Sequence, residues 1–215
     1  MSAPTRYWKG LRVPYIVPWS QERALPGRIV VRSGIGGTGI GYADEESRVD
    51  RRDDVLWVRN AHTPGFGVPE LPGMHPLRQR TAVDRMLCQV CGTSAINSSS
   101  GDERYLFLLA AKDGRPIQEG ERTVSPPIHL DCARESVRDC PHLKRHTAAF
   151  VEYCPGWGVA GIEYDPRTVR PLPADGLVFV PYEDSDRLRW TLAARSVISL
   201  HGITTVSLSE LALTA

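Results

Sequence analysis

Four residues suited to metal binding fall in two close pairs in the middle of the chain. Cys88 and Cys91 form a C-x-x-C that is followed by Gly92, and His129 is followed three residues later by Cys132. Two thiolates at this spacing can grip one tetrahedral ion when the backbone turns tightly between them, and glycine permits the left-handed conformation that such a turn often needs. The i, i+3 spacing of the second pair puts both side chains on one side of a helical first turn. Together the pairs predict a zinc site.

A site with four protein ligands leaves no coordination position for water, so the predicted Zn2+ is structural rather than catalytic. Helix N-terminal dipoles would favour the thiolate of Cys132. Cys140 and Cys154 are interpreted as core residues, because free cysteine packs as a small hydrophobe. His142 is the reserve ligand if His129 fails. The competing interpretation, buried cysteines and a hydrogen-bonded histidine, explains each residue singly but not the spacing.

The bulk composition is that of an ordinary globular protein. The chain has 215 residues, 41% of them hydrophobic and 24% charged, and a net charge of +1, so no overall excess of charge favours nucleic acid or membranes. No stretch approaches the roughly 18 apolar residues of a spanning helix, and the N-terminus has no apolar signal-peptide segment. Five cysteines, an odd number with a C-x-x-C among them, favour metal over disulfides. We therefore expect a cytoplasmic protein with no membrane attachment.

Three regions, which can all belong to one domain, are expected to position the ligands. Residues 1–80 are β-rich, residues 81–145 hold the zinc ligands, and residues 146–215 contain strands and a C-terminal helix. The predicted strands are Val13–Val17, Arg28–Arg32, Val55–Arg59, Arg104–Ala111, Arg115–Glu119, Ala148–Cys154, Gly158–Tyr164 and Leu177–Pro181. Short helices are predicted over Leu77–Met86 and between Pro126–Pro127 and Pro141, because proline suits a first helical turn and is excluded from the interior.

The C-terminal helix is predicted from a cap and an apolar stripe. Asp184 or Ser185 can cap its start and Gly202 can end it. The stripe, at spacings of 3, 4 and 3, consists of Trp190, Ala193, Val197 and Leu200.

A β-hairpin is predicted between the two ligand pairs. Asp113–Gly114 is a turn signal between the strands Arg104–Ala111 and Arg115–Glu119. The order of C-x-x-C turn, hairpin, and helix carrying the second pair is similar to a treble-clef zinc finger. The predicted fold class is therefore α+β, with short antiparallel strands around a treble-clef-like zinc module and a C-terminal helix.

Several longer segments resemble a group of uncharacterised actinobacterial proteins. The segments are MHPLRQR at 74–80, LCQVCG at 87–92, PPIHLDCA at 126–133, Ser136, and CPHL at 140–143. More distantly, the Cys/His pieces are similar to small zinc-site proteins of bacteria and phages. The likeness covers about residues 55–145. It implies a zinc-binding module in a bacterial cytosol and implies no activity.

A glycine-rich stretch matches the pattern of a nucleotide-binding motif. Gly34 to Gly39 satisfy G-x-G-x-x-G after a predicted strand. A dinucleotide site would require an amphipathic helix next, but the following GYADEESRVDRRDD is almost entirely polar. We expect the Gly34–Gly41 segment to be a loop or irregular hairpin without a nucleotide.

Three functions remain open. The first is a binding or adaptor protein whose zinc holds its scaffold. The second is an enzyme, a hydrolase or a small-molecule biosynthetic enzyme, with a site away from the zinc; the aromatic residues available to line it are Trp8, Tyr15, Trp19 and Trp57. The third is a nucleic-acid binder with a basic helix face, formed by Arg78, Arg80, Arg134 and Arg138.

No catalytic residue is predicted from the sequence. G-x-S-x-G, Walker and H-E-x-x-H patterns are missing from it, and His62, His75 and His201 are isolated, as surface or packed histidines usually are. Acidic residues alternate with the arginines of the helix face and reduce its net positive charge. Substrate, partner and oligomeric state are not predicted.

Overall fold

The chain forms a mixed α/β structure in which sheet predominates. The structure is a computed structural model that describes residues 4–34, 36–96, 103–111 and 113–212. The strands in these ranges are β1 Arg6–Trp8, β2 Leu11–Val13, β3 Ile29–Gly34, β4 Gly37–Tyr42, β5 Arg51–Arg52, β6 Val55–Trp57, β7 Tyr105–Ala110, β8 Glu121–Thr123, β9 His146–Tyr153, β10 Gly156–Glu163, β11 Val178–Pro181 and β12 Thr191–Val206. The helices are α1 Ser47–Asp50, α2 Pro76–Asp84, α3 Leu130–Asp139 and α4 Ser185–Leu188, with 3-10 turns at Pro141–Leu143 and Glu210–Ala212.

The strand β12, 16 residues long, is the axis of an eight-stranded sheet. β9 and β10 follow one another along one edge of it, both antiparallel, with a break at Cys154 and Pro155. The parallel strand β6 and the antiparallel β8 pair with the other edge. β5, β7 and β11 extend the sheet outward. The sheet therefore takes strands from all three regions of the sequence.

The predicted C-terminal helix is wrong, because the segment after residue 190 is β12. Asp184 does cap a helix, accepting a hydrogen bond from the backbone N–H of Arg187, but that helix is the single turn α4. Gly202 lies inside the strand with a φ of +67° instead of ending a helix. β12 is rich in β-branched residues, and residues 191–200 of it are largely buried on both faces, which removes the alternation that identifies a half-exposed strand.

The hairpin predicted between the ligand pairs is also wrong. β7 forms as expected but pairs with β9, and the segment predicted as its return strand, Arg115–Glu119, is not a strand. Pro116 lacks the N–H that a ladder requires, whereas β9 offers eight residues of pairing edge. The Gly34–Gly41 segment forms part of a regular hairpin, β3–β4, that turns between Gly34 and Gly37.

Both predicted internal helices form, as α2 and α3. α2 lies against β12, where the side chain of Gln79 donates to the carbonyl of Ser196 at 2.9 Å and accepts from its N–H at 3.0 Å. His75 caps the start of α2, and its Nε2 lies 3.0 Å from the carbonyl oxygen of Ala61. His75 is completely buried, which lowers the pKa of its imidazole.

A buried ion pair fastens the N-terminal region to α2. Arg78 donates two hydrogen bonds of 2.6 Å to the carboxylate of Glu22, and two of 2.7 Å to the carbonyls of Tyr15 and Val17. Arg78 and Glu22 are only 2% and 4% exposed. Arg78 is therefore not part of a basic surface, contrary to its place in the predicted nucleic-acid face. Burial alone would raise the pKa of Glu22, but the hydrogen bonds from Arg78 outweigh it and lower the pKa.

We expect Glu22→Gln to lower the free energy of unfolding by about 3–5 kcal/mol, because it leaves the Arg78 guanidinium buried without its counter-charge. Urea unfolding monitored by tryptophan fluorescence measures the change. Asp131→Asn, which removes the partner of an ion pair whose acid is 94% exposed, is the matched control and should stay within about 0.5 kcal/mol of the parent. Equal stabilities for the two variants would contradict the role given to the buried pair.

The same pair predicts a dependence of stability on pH. A carboxylate with a lowered pKa in the folded state contributes stability above its unfolded pKa, and that stability is lost as the pH falls through the folded pKa. Between about pH 6 and pH 3 the parent should lose more stability than Glu22→Gln, which has no carboxylate to protonate at this position.

Candidate metal centre

The first ligand pair lies on a tight turn whose geometry follows from Gly92. The backbone N–H of Gly92 donates to the carbonyl of Cys88 at 2.8 Å, and the N–H of Cys88 donates to the carbonyl of Thr93 at 2.7 Å. Gly92 has a φ of +70°, the left-handed conformation expected from the C-x-x-C-G pattern. The turn aims the thiols of Cys88 and Cys91 at the same point.

Backbone hydrogen bonds hold this turn against two distant segments. The N–H groups of Tyr15 and Ile16 donate to the carbonyls of Val90 and Gln89, at 2.9 and 3.2 Å. The N–H of Gln89 donates to the carbonyl of Pro127 at 2.9 Å, just before α3. The turn therefore joins the N-terminal region to the start of the helix.

The second ligand pair is placed by the first turn of α3. His129 is the N-cap residue in an extended conformation, with a ψ of 152°, and the helix begins one residue later. Cys132 lies in the first helical turn and is 7% exposed. The backbone N–H of His129 points toward the sulfur of Cys88, 3.5 Å away. The proline pair before the helix and Pro141 after it bound α3 as the sequence predicts.

All four predicted ligands come together. The sulfurs of Cys88, Cys91 and Cys132 and a ring nitrogen of His129 lie within 4.8 Å of one another. The sulfur of Cys91 is 3.2 Å from Nδ1 of His129, and Nε2 of this ring is 2.8 Å from the carbonyl oxygen of Ser94. An Nε2–H donated to Ser94 leaves the Nδ1 lone pair directed at the thiols, which is how histidine ligands are commonly oriented. The Cys3His group could hold a tetrahedral metal ion such as zinc.

The remaining candidate ligands stay outside the group. Cys140 is the C-cap residue of α3 and is half-buried. Cys154 packs beside a core cluster of the sheet, and burial raises the pKa of its thiol to about 12. His142, the reserve ligand, is exposed in the 3-10 turn after α3.

The surroundings of Cys88 favour a thiolate. A hydrogen bond from the Cys132 thiol lowers the pKa of Cys88 to about 4, and backbone N–H groups of Cys91, His129 and Val90 act in the same direction. The hydrogen bond to Cys88, together with burial, raises the pKa of Cys132. The two thiols thus share one proton, which a metal ion would displace because thiol ligands bind as thiolates.

Arg12 lies beside the centre and was not identified from the sequence. Its Nη1 is 3.7 Å from the sulfur of Cys132 and 3.2 Å from Oε2 of Glu135. Three thiolates around a doubly charged ion would carry a net charge of −1, which a neighbouring guanidinium would offset. Burial alone would lower the pKa of Arg12, but the hydrogen bond to Glu135 and the charges of the cysteines raise it. No local pattern could reveal Arg12, because β2 precedes the ligands by more than 70 residues.

Most of the residues proposed for a nucleic-acid face or for an enzyme pocket already have partners within the protein or are buried in its core. Arg134 pairs with Asp131 at 3.1 Å and Arg138 with Asp139 at 2.7 Å, so the helix face is largely compensated. The guanidinium of Arg80 lies 4.3 Å from the ring centroid of Trp57.

Of the aromatic residues suggested for an enzyme pocket, Trp19 and Trp57 are core residues, 5% and 4% exposed. Tyr15 and Trp8 are half-buried.

Comparison of the chain with protein-family models, with curated proteins and with solved structures found no match. In the part of the chain that the structure describes, no helix has both the length and the apolar character required to cross a membrane. Functional conclusions therefore depend on the geometry of this chain alone.

We expect Arg12→Ala to weaken zinc binding by about 10–100-fold, the usual cost of losing a residue that supports metal ligands. Competition with a chromophoric chelator measures the dissociation constant. The control is Arg115→Ala, which removes an exposed arginine that pairs with Glu121. An Arg12→Ala protein that holds zinc as tightly as this control would exclude an electrostatic contribution from Arg12.

Proposed function

We propose that Cys88, Cys91, His129 and Cys132 bind one structural Zn2+, and that the protein is a binding or adaptor protein rather than a zinc enzyme. The observation that supports this most strongly is the complete donor set, since all four ligand atoms lie within 4.8 Å of one another. Three thiolates and an imidazole suit zinc, and a site closed by four protein ligands has no position at which water or substrate could be activated.

The position of the group explains what the ion would stabilise. Cys88 and Cys132 are part of a core cluster that includes Leu106 of β7 and Ile128 before α3. The N–H of Ile128 donates to the carbonyl of Leu106 at 2.8 Å, which sets the start of the helix against the sheet. A zinc ion would cross-link the turn and the helix over this cluster, so its binding energy would contribute directly to folding.

The arginines proposed for a nucleic-acid face do not favour that function. A nucleic-acid face would need uncompensated cations, and Arg78 is buried while Arg134 and Arg138 have acidic partners. The C-x-x-C turn and α3 supply two of the three parts of a treble clef, so we retain a treble-clef-like module that lacks its hairpin. The resemblance to actinobacterial sequences supports a bacterial, cytoplasmic protein.

The metal and its role can be tested by analysis and substitution. The purified protein should contain one zinc per chain by elemental analysis, and Co2+ exchanged into it should give the intense visible bands of a tetrahedral thiolate site. Cys88→Ser and Cys132→Ser should lose the metal, and the apo-protein should unfold at a lower temperature because the cross-link is gone.

The matched controls are Cys140→Ser and Cys154→Ser, which replace cysteines outside the group and should keep one zinc per chain. X-ray absorption should give three sulfurs and one nitrogen around the ion. A metal-bound water in place of one of these ligands would contradict a structural site and favour a zinc enzyme.

A further inference from the structure

A serine, a histidine and a glutamate form a continuous hydrogen-bonded line on the sheet. The hydroxyl of Ser199 lies 3.0 Å from Nε2 of His201, and Nδ1 of the same ring lies 2.9 Å from Oε1 of Glu119. Both distances are within the range at which a nucleophile, a general base and the group that orients the base act together. The three residues belong neither to the metal centre nor to its supporting contacts.

The fold places these residues for identifiable reasons. Ser199 and His201 are two positions apart in β12, a spacing that puts side chains on the same face of a strand. Glu119 comes from the segment before β8, where the N–H of Gly120 donates to the carbonyl of Leu200 at 2.8 Å. The N–H of Gly202 donates to the Glu119 carboxylate at 3.1 Å and fixes its position beside the ring.

The glutamate determines which ring nitrogen of His201 is the base. A carboxylate only accepts hydrogen bonds, so the 2.9 Å contact requires that Nδ1 carry a proton. In the neutral ring Nε2 then has the lone pair and accepts the hydroxyl proton of Ser199. This protonation pattern is the one that a nucleophilic serine requires.

We propose that the protein has, in addition to the binding role of its metal module, a separate hydrolase site away from the zinc: Ser199 is a nucleophile for acyl transfer, with His201 as its general base and Glu119 as the positioning residue, and the substrate is a carboxylic ester. The Ser199 oxygen attacks the ester carbonyl carbon while its proton passes to Nε2 of His201. The C–O bond to the alcohol then breaks, and His201 returns the proton to the departing alcohol. Water repeats the sequence on the acyl-enzyme, which releases the acid and restores the serine, so no metal or redox partner takes part.

The neighbouring residues indicate the kind of ester. Arg122 is the cross-strand partner of Ser199, and its guanidinium lies 4.0 Å from the ring centroid of Trp157. Tyr153 is the cross-strand partner of His201, and the two ring centroids are 6.2 Å apart. Aromatic surface on both sides favours an apolar or aromatic alcohol group, and Arg122 is a cation suited to the charge that develops on the carbonyl oxygen.

The exposure of the serine sets the size of the acyl group. Ser199 is 8% exposed, whereas the side chains of His201 and Glu119 are 38% and 63% exposed. Because the Ser199 residue as a whole is so little exposed, we expect a short, unbranched acyl group to reach it more readily than a bulky one. The proposed substrate class is therefore a short-chain ester of an apolar alcohol, for which p-nitrophenyl acetate is a suitable probe.

The experiment uses the full-length, zinc-loaded protein and a small sulfonyl fluoride that labels activated serines. We expect stoichiometric modification of Ser199, located by peptide mass spectrometry, and turnover of p-nitrophenyl acetate. Ser199→Ala should abolish both, and His201→Gln should slow labelling by about 100-fold or more, the usual contribution of a general base. Ser209→Ala, which removes an exposed hydroxyl near the end of β12, is the control and should label and turn over like the parent.

The test of Glu119 separates a positioning role from a structural one. Glu119→Gln should slow labelling, because the imidazolium formed when His201 takes the serine proton loses its carboxylate partner, while Glu119→Asp should recover part of the rate.

Two results would overturn the proposal. Labelling of the parent no faster than of Ser199→Ala would show that the three residues form only a structural hydrogen-bond network. A labelling rate unchanged by Glu119→Gln, in a variant with the parent's circular dichroism and zinc content, would remove the glutamate from the mechanism. Failure of either kind leaves the zinc content unaffected, so it is distinguishable from failure of the structural-zinc proposal.

Discussion

The backbone of β12 must find hydrogen-bond partners along both of its edges, and the rest of the fold follows from this requirement. The buried part of this 16-residue strand, residues 191–200, cannot leave its N–H and C=O groups unpaired. One edge is paired with β9 and β10 in succession, and the buried part of the other is paired with the short strands β6 and β8 and with the side chain of Gln79 at Ser196. These partners come from widely separated parts of the chain, so most of the sheet depends on non-local pairing. Folding should accordingly be slow compared with helical proteins of this size.

Helix α3 buries little apolar surface of its own, so a metal ion bound at its start would contribute strongly to holding it in place. α3 has ten residues, and its buried positions are Cys132 and Ala133. A helix this short is marginal without tertiary contacts. Its position is determined by the C-x-x-C turn on one side and by β7 on the other. A metal ion joining Cys88 to Cys132 would replace the extensive apolar contact that this helix lacks. The start of the same short helix carries two of the four candidate ligands, His129 and Cys132.

The sequence predicts an element or a site best where a local pattern of residues has a single physical explanation. The two ligand pairs could be predicted because tetrahedral coordination demands closely spaced donors, and α2 and α3 because proline bounds a helix. The C-terminal segment was wrongly predicted to be a helix. The first part of β12 is buried on both faces, and its apolar residues fit a helical period by coincidence. Arg12, Glu22 and Arg78 act through partners distant in sequence, and no spacing rule identifies such partners. His201 seemed isolated for the same reason: the segment was predicted as a helix, in which Ser199 and His201 would not share a face, and Glu119 is distant in sequence.

β9 connects the two centres physically. At one end of this strand Ala148 packs in the core cluster that contains Cys88 and Cys132. At the other end Tyr153 is paired with His201. Hydrogen-bonded strands hold side chains more precisely than loops do, so the pairing of β9 with β12 helps to fix the backbone that carries His201, while Glu119 orients its ring. A structural ion and a reactive serine are therefore compatible in one sheet: the ion would keep β7, β9 and α3 in place, and β12 would present the hydroxyl.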